Sequence, residues 1–451
     1  MIGARCLAAL AFAAGVLPAV AADAPPVLAT GASPAVAAGV PPAAAAPAGY
    51  PAELPPLGRV RSAIEEAPDV RAASALRDAG LAERRQLIAG PHEWSTRAEY
   101  RNRRTSDTPV VDRFGEWELA LERAVRRSGK AELDRRLGDQ RVTQAEVALA
   151  DARHETARRL LTTWYQVLRE QAAAGVLDEQ AALAAREVEI IARRRQLGDA
   201  SLLDEQQAQA AAAQTEAAAR SARERAERAR RQLAGQFPTL APPAGAALPT
   251  PGESTDDLAA LGEAALQEDH GLQLARAAAA RGRLESERAA AERRPDPTLG
   301  IRYGSERAGA ERLVGVFVSI PFGGEARRAA ADASLARAAA FEQLAEARLR
   351  QLSGDVGALQ VAVSAGLSRW QAAQSGAQLQ ARVAERVALS NQLGETGFTE
   401  VLLARRQALD AALLATAAHV DVLESRARLL LDAHRLWDFD SPAGGAAQTV
   451  L

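Results

Sequence analysis

Two stretches of this chain, about 125–197 and about 325–393, each read as one unbroken helix, and that length excludes most folds. At 1.5 Å per residue each run spans on the order of 100 Å, longer than any compact domain. The runs are rods. They are rich in Ala, Arg, Glu, Gln and Leu, the residues that lose least on entering a helix. Of the 451 residues 48% are apolar, but Ala dominates that fraction and aromatics make up only 4%. Such a chain is short of the large side chains that fill a globular core. Its helices must instead approach closely through small residues.

Each rod ends at the same small turn. The first reads RRRQLGDASLLDEQQAQ around Gly198, the second LSNQLGETGFTEVLLAR around Gly394. An apolar residue (Leu202, Phe398) and an acid (Asp204, Glu400) follow at matched offsets, and helix returns to about 235 and about 437. A helical segment precedes each rod, 61–89 and 256–293, and two short patches lie between segment and rod. The same order twice is an internal repeat. The expected division is a first repeat over 59–235 with its tip at 198, a Pro/Gly-rich break over 236–255, a second repeat over 256–438 with its tip at 394, and a tail over 439–451.

The patches, about 92–102, 114–122, 297–304 and 312–321, alternate with period two. Trp94, Thr96, Ala98 and Tyr100 oppose Glu93, Ser95, Arg97 and Glu99; Trp117, Leu119 and Leu121 oppose Glu116, Glu118 and Glu122. Leu299, Ile301 and Tyr303 share a face, as do Val314, Val316, Val318 and Ile320. This is strand periodicity, at lengths near those of a membrane-spanning strand. Seven of the seventeen aromatic residues lie in or beside these patches, as bilayer-interface girdles require. Surface hairpins capping a coiled coil would show the same alternation. Four strands cannot close a barrel, and hydrocarbon does not tolerate an open sheet edge. A membrane role therefore needs other copies; three would supply twelve strands above a ring of helices.

The N-terminus carries Arg5, the apolar run CLAALAFAAGVLPAV and the small residues Ala19 to Ala22, the pattern of a secretory signal peptide over 1–22. The sole cysteine, Cys6, lies inside it, so neither a lipid anchor nor a disulfide is expected. Residues 23–58 are Ala/Pro-rich without periodicity and read as a disordered spacer. No later segment has the apolar length of a spanning helix. A net charge of −2 gives no reason to expect nucleic acid.

Taken in this order, the features resemble the TolC family of outer-membrane channel proteins over about 60–438. RPDPTLGIRYG is similar to that family's third strand, VGVFVSIPFGGEARRA to its fourth strand and the turn into a helix, and the two QLG turns to its paired helical tips. The resemblance implies a mainly α protein with membrane β: a trimer whose twelve-stranded β-barrel, four strands per chain, sits in the outer membrane of a Gram-negative bacterium and continues as an α-helical barrel across the periplasm. It implies a passive exit duct of a tripartite efflux system, working with a periplasmic adaptor and an inner-membrane pump of RND type. Adaptor-docking tips would be Leu197, Gly198, Asp199 and Ser201 with Leu393, Gly394, Glu395 and Thr396; Asp204 and Glu400 would lie at the periplasmic entrance. The family's second entrance acid falls on Leu403 and its gating arginine on Thr396, so a single charged ring is implied. HEWSTRAEYRNRR and EWELALERAVRRSGKAELDRRLG resemble the subset paired with cobalt–zinc–cadmium pumps, which implies metal cations as cargo beside drugs.

Without the resemblance, Asp204 and Glu400 read equally as acids favoured at helix N-termini. The alternatives are an exit duct for protein secretion and a soluble periplasmic coiled-coil binding protein. No Walker loop, GxSxG elbow or HExxH occurs, so no catalytic residue or cofactor is expected. His92, His154, His270, His419 and His434 are far apart without ligand spacing, and read as solvated surface residues rather than a metal site.

Overall fold

The computed structural model describes residues 50–105, 112–242, 245, 248–252, 257–437 and 439. The signal peptide and most of the spacer and tail lie outside the described residues. Thirteen elements follow in order: α1 (Leu57–Glu65), α2 (Pro68–Ala89), β1 (Trp94–Thr105), β2 (Asp112–Ala124), α3 (Lys130–Gln196), α4 (Leu202–Gln236), α5 (Leu258–Glu268), α6 (His270–Ala291), β3 (Thr298–Glu306), a 3₁₀ turn (Arg307–Gly309), β4 (Glu311–Ser319), α7 (Glu325–Gln392) and α8 (Phe398–Asp432). The rods α3 and α7 hold 67 and 68 residues, and the return helices α4 and α8 hold 35 each. Among the described residues no helix is long and apolar enough to cross a membrane.

The segments read as single helices, 61–89 and 256–293, are each two. Pro68 starts α2 at a position where its missing N–H costs nothing, and its ring prevents α1 from running through. Asp269 ends α5 and caps α6, its carboxylate accepting from the Leu272 amide at 2.6 Å. The last residues of the presumed spacer are also ordered. Leu54 is buried, the Trp164 indole donates to the Glu53 carbonyl, and the Tyr165 hydroxyl donates to the Glu53 carboxylate, both at 2.8 Å. The Trp437 indole donates to the Tyr50 hydroxyl at 2.8 Å, so the start and end of the described chain meet. Burial pushes the Tyr50 phenol up to about 12.

The largest apolar cluster sits here, with Ile64, Leu160, Trp164, Tyr165, Leu233 and Trp437 all buried. Towards the tips the contacts thin. Between α3 and α4 the buried surface is Ala174, Leu177, Ala181, Ala219, Ala222 and Ala226. A seam of small residues lets two rods lie close without a thick core between them.

The strands form one antiparallel sheet in the order β1-β2-β3-β4. Its register sets Tyr100 opposite Trp117, Leu119 opposite Tyr303, and Ile301 opposite Val316.

Candidate functional site

At the first tip, α3 finishes on Arg193, Arg194 and Arg195, charges favoured at a helix C-terminus. Gly198 then takes φ +83°, a left-handed conformation that a side chain disfavours. It allows the Asp199 amide to donate back to the Arg194 carbonyl at 2.9 Å. Helix restarts at once through a capping box: Ser201 Oγ accepts from the Asp204 amide at 3.0 Å, and Asp204 Oδ2 accepts from the Ser201 amide at 2.9 Å. The second tip repeats the device with Gly394 at φ +79° and the Glu395 amide donating to the Ser390 carbonyl at 3.0 Å. Its N-cap is Gly397, which has no side chain to give, so only half the box forms. Glu400 Oε2 accepts from the Gly397 amide at 3.0 Å. Asp204 and Glu400 are thus both helix caps.

The two tips lie side by side. Arg194 reaches across, donating from Nη1 to Asn391 Oδ1 at 3.2 Å while its Nε donates to Asp199 at 2.8 Å. Asn391 Nδ2 in turn donates to the Thr396 carbonyl at 2.8 Å. Ile191, Ala208, Phe398 and Val401 are buried between the tips, and an Arg405–Glu187 ion pair joins α8 to α3. Burial pushes the Glu187 carboxyl up, against the pull of Arg405. Leu197 and Leu393 stand out at the extremity, 76% and 68% exposed. The cross-tip residues Arg194, Asn391, Arg405 and Glu187 carry no sequence signal that separates them from the many other charged and amide residues on these helices.

At the other end, the sheet has two unlike faces. One carries Tyr100, Trp117, Leu121, Ile301, Val314 and Val316 among others, all exposed, Val314 and Val316 at 83% and 82%. Trp117 and Tyr303 meet edge-on at 5.6 Å. The opposite face carries ion pairs, Arg97–Glu122 at 3.3 Å, Arg103–Glu116 at 3.5 Å and Arg302–Glu118 at 3.9 Å. Phe114 and Phe317 also point to that side, so only some of the strand aromatics share the apolar face. Among the described residues β1 and β4 are edges.

Sheet and helices are joined by a buried ionic knot. Lys130, 2% exposed, lies 3.0 Å from both Glu292 and Asp296. Asp296 also pairs with His92 at 3.0 Å and accepts from the Arg127 amide at 3.0 Å. Burial opposes its charge, but those three donors outweigh it and hold the carboxyl down at about 2. Asp134 takes Arg288 at 2.5 Å and Arg126 at 3.4 Å.

The expectation of five solvated histidines fails. His92 is in the knot, and His419 Nε2 donates to the Pro249 carbonyl at 2.8 Å. His154, His270 and His434, each more than 100 residues from the next in sequence, pack their rings against one another. Chain spacing could not show this, because α3, α6 and the segment after α8 converge only in the folded protein. Among the described residues no group of His, Cys, Asp or Glu is arranged to hold a metal ion.

No protein-family model and no curated protein matches this chain. Solved structures do. The chain is similar to the CmeC outer membrane channel of Campylobacter jejuni, with TM-score 0.69 and 14% identity over 84% of this chain and 85% of that one. It is similar to the outer membrane protein VceC of Vibrio cholerae, with TM-score 0.67 and 18% identity over 84% and 95%. It is also similar to the open state of the MtrE outer membrane channel of Neisseria gonorrhoeae, with TM-score 0.61 and 14% identity over 85% and 90%. At these identities what is shared is the fold: long antiparallel helices carrying a four-stranded antiparallel sheet, built as in outer-membrane channels.

Proposed function

We propose that the chain is one subunit of a trimeric outer-membrane channel, the passive exit duct of a tripartite efflux system. The observation that carries this is the sheet, apolar and exposed on one face, charged on the other, with both edges open. A lipid-facing and lumen-facing alternation has this form. Three copies pairing β1 of one with β4 of the next give twelve strands and remove every edge. The helices then line a duct through the periplasm of a Gram-negative cell. The near-equal lengths of α3 and α7, and of α4 and α8, support an origin by duplication.

At the far end the exposed Leu197 and Leu393, with Gly198, Asp199, Ser201, Gly394, Glu395 and Thr396, are the surface for a periplasmic adaptor. Asp204 and Glu400 line the entrance while capping α4 and α8. The energy comes from an inner-membrane pump, of RND type by the TolC-family resemblance. Cargo is small toxic solutes; metal cations are favoured over drugs only by the sequence resemblance of 92–104 and 116–138. A soluble coiled-coil binding protein would leave the apolar sheet face in water, which soluble proteins avoid at this size.

Membrane fractionation and planar-bilayer recording test this together. Outer-membrane recovery and discrete single-channel steps are expected; a soluble chain without conductance would sink the proposal.

A further inference from the structure

The three converging histidines have no part in the channel reading, yet they occupy a structurally committed place. His154 lies in the middle of α3, His270 is the first residue of α6, and His434 follows α8. His154 and His434 stack with planes 4° apart and ring centroids 5.0 Å apart. His270 meets both edge-on, at 5.7 Å and 4.9 Å. His154 and His270 are buried, and His154 Nε2 donates to the Leu431 carbonyl at 3.1 Å. The triangle therefore ties the end of α8 to two other helices, close to the α5–α6 break at Asp269.

The charges around it come from every element packed there. From α3 come Asp151, Glu155 and Arg158; from α5 Glu268; Asp269 stands at the α5–α6 junction; from α7 comes Arg348, and from α8 Arg428 and Asp432. The carboxylates nearest the rings already answer arginines. Asp432 takes Arg158 at 2.8 Å and Arg428 at 3.1 Å, while Asp269 takes Arg348 at 3.4 Å, Arg158 at 3.7 Å and the Leu272 amide. Glu268 lies 4.0 Å from His434 Nδ1 at the outer edge. A proton on His154 would thus meet Arg158 and the His434 ring, with Asp432 already shared between two arginines, whereas Asp151 faces His270. The segment beyond α8 is also held in an uncommon backbone state, since His434 and Trp437 have φ of 56° and 57°.

We infer that this triad is an acid-sensitive joint, in which proton uptake by His154, the buried ring stacked on His434, loosens the segment after α8 from α3 and α6. Desolvation, followed by the nearby Arg158, lowers His154 to about 4 from its ordinary 6.5. The sign follows. The closed joint keeps His154 neutral, whereas the opened segment leaves it free to protonate. Opening is therefore unaffected above 6.5, grows as pH falls from 6.5 towards 4, and saturates below.

Hydrogen–deuterium exchange of the full chain in detergent reads this directly, at about pH 7.5 and about pH 5 with intrinsic exchange corrected. The reporters are peptides covering 428–437 and 268–274, with the tip peptides 388–400 as control. Local opening at 428–437 should rise on the order of tenfold per pH unit below the ordinary histidine value, with the tips unchanged. His154→Phe keeps a ring without a titrating nitrogen, and His434→Asn suits the positive φ. Each should flatten the response. Equal protection of wild type at both pH values overturns the inference, as does equal loosening of the tips. Persistence of the full response in His434→Asn also overturns it, and the wild-type result decides the matter if His154→Phe fails to fold.

Discussion

Glu400 has one observed and one proposed role, which one substitution pair separates. Its carboxylate caps α8 at Gly397, and the proposed function gives its charge a second role at the entrance. Glu400→Gln retains an acceptor for the cap, so tip stability should change little, while cation preference in bilayer recordings weakens. An unchanged reversal potential under a salt gradient would remove Glu400 from the entrance. Glu400→Ala should in addition destabilise α8 locally by about 1 kcal/mol through the lost cap, seen as faster amide exchange at 398–402. Asp296 makes a pH prediction. Above its ordinary value of 3.8 the folded and unfolded chains are both ionised, and its contribution is fully present; it is lost as pH falls from 3.8 through about 2. That loss is about 2 kcal/mol. Asp296→Asn should flatten this acid limb in thermal unfolding followed by circular dichroism, and an identical acid limb would exclude the knot as its source. The capping acids could be read from their spacing to Gly198 and Gly394, because a cap is a local device. The knot could not, since Lys130 and Asp296 stand at opposite ends of the stretch from α3 to α6 and meet only after those helices have packed.

Among the elements, the turns and strands were the most legible. A glycine left-handed after a basic helix end, followed three residues later by a cap, is a local solution written in adjacent residues. Gly198→Pro and Gly394→Pro cannot reach positive φ, because the ring holds φ near −65°. Export should be abolished while trimers still reach the membrane, measured by efflux assay and membrane fractionation; loss of the trimer would show that the turns nucleate assembly. Period-two alternation likewise placed Tyr100, Trp117, Leu119, Leu121, Ile301, Tyr303 and the valines of β4 on one face, with Phe317 on the other. Val316→Arg puts a charge at the middle of that face, at about 2–4 kcal/mol if it meets lipid. Outer-membrane recovery should fall sharply, whereas Glu118→Gln on the opposite face leaves recovery intact. Equal recovery of both variants would argue against a lipid-facing sheet. The helix breaks at Pro68 and Asp269 were missed for a local reason. A reading by composition passes over single residues, and so over Pro68, whose ring closes off α1, and Asp269, whose carboxylate caps a new helix.

For the whole molecule, the open edges of β1 and β4 and the exposed apolar sheet make a single chain an incomplete unit. Native mass spectrometry from detergent should therefore give three chains, and a monomer that still conducts would refute the twelve-strand barrel. Within the chain, the large side chains gather where α1, α3, α4 and the end of α8 meet, and the rods beyond rely on alanine. The sequence by itself determined the rods, their turns, the strands and their two faces, because helix propensity, glycine geometry and alternation act over a few residues. Only the tertiary structure decided the cross-tip bridge from Arg194 to Asn391, the ionic knot around Lys130 and the stacked histidines. Each joins residues more than 100 positions apart, and their spacing in space is set by how the rods pack, which no local pattern encodes.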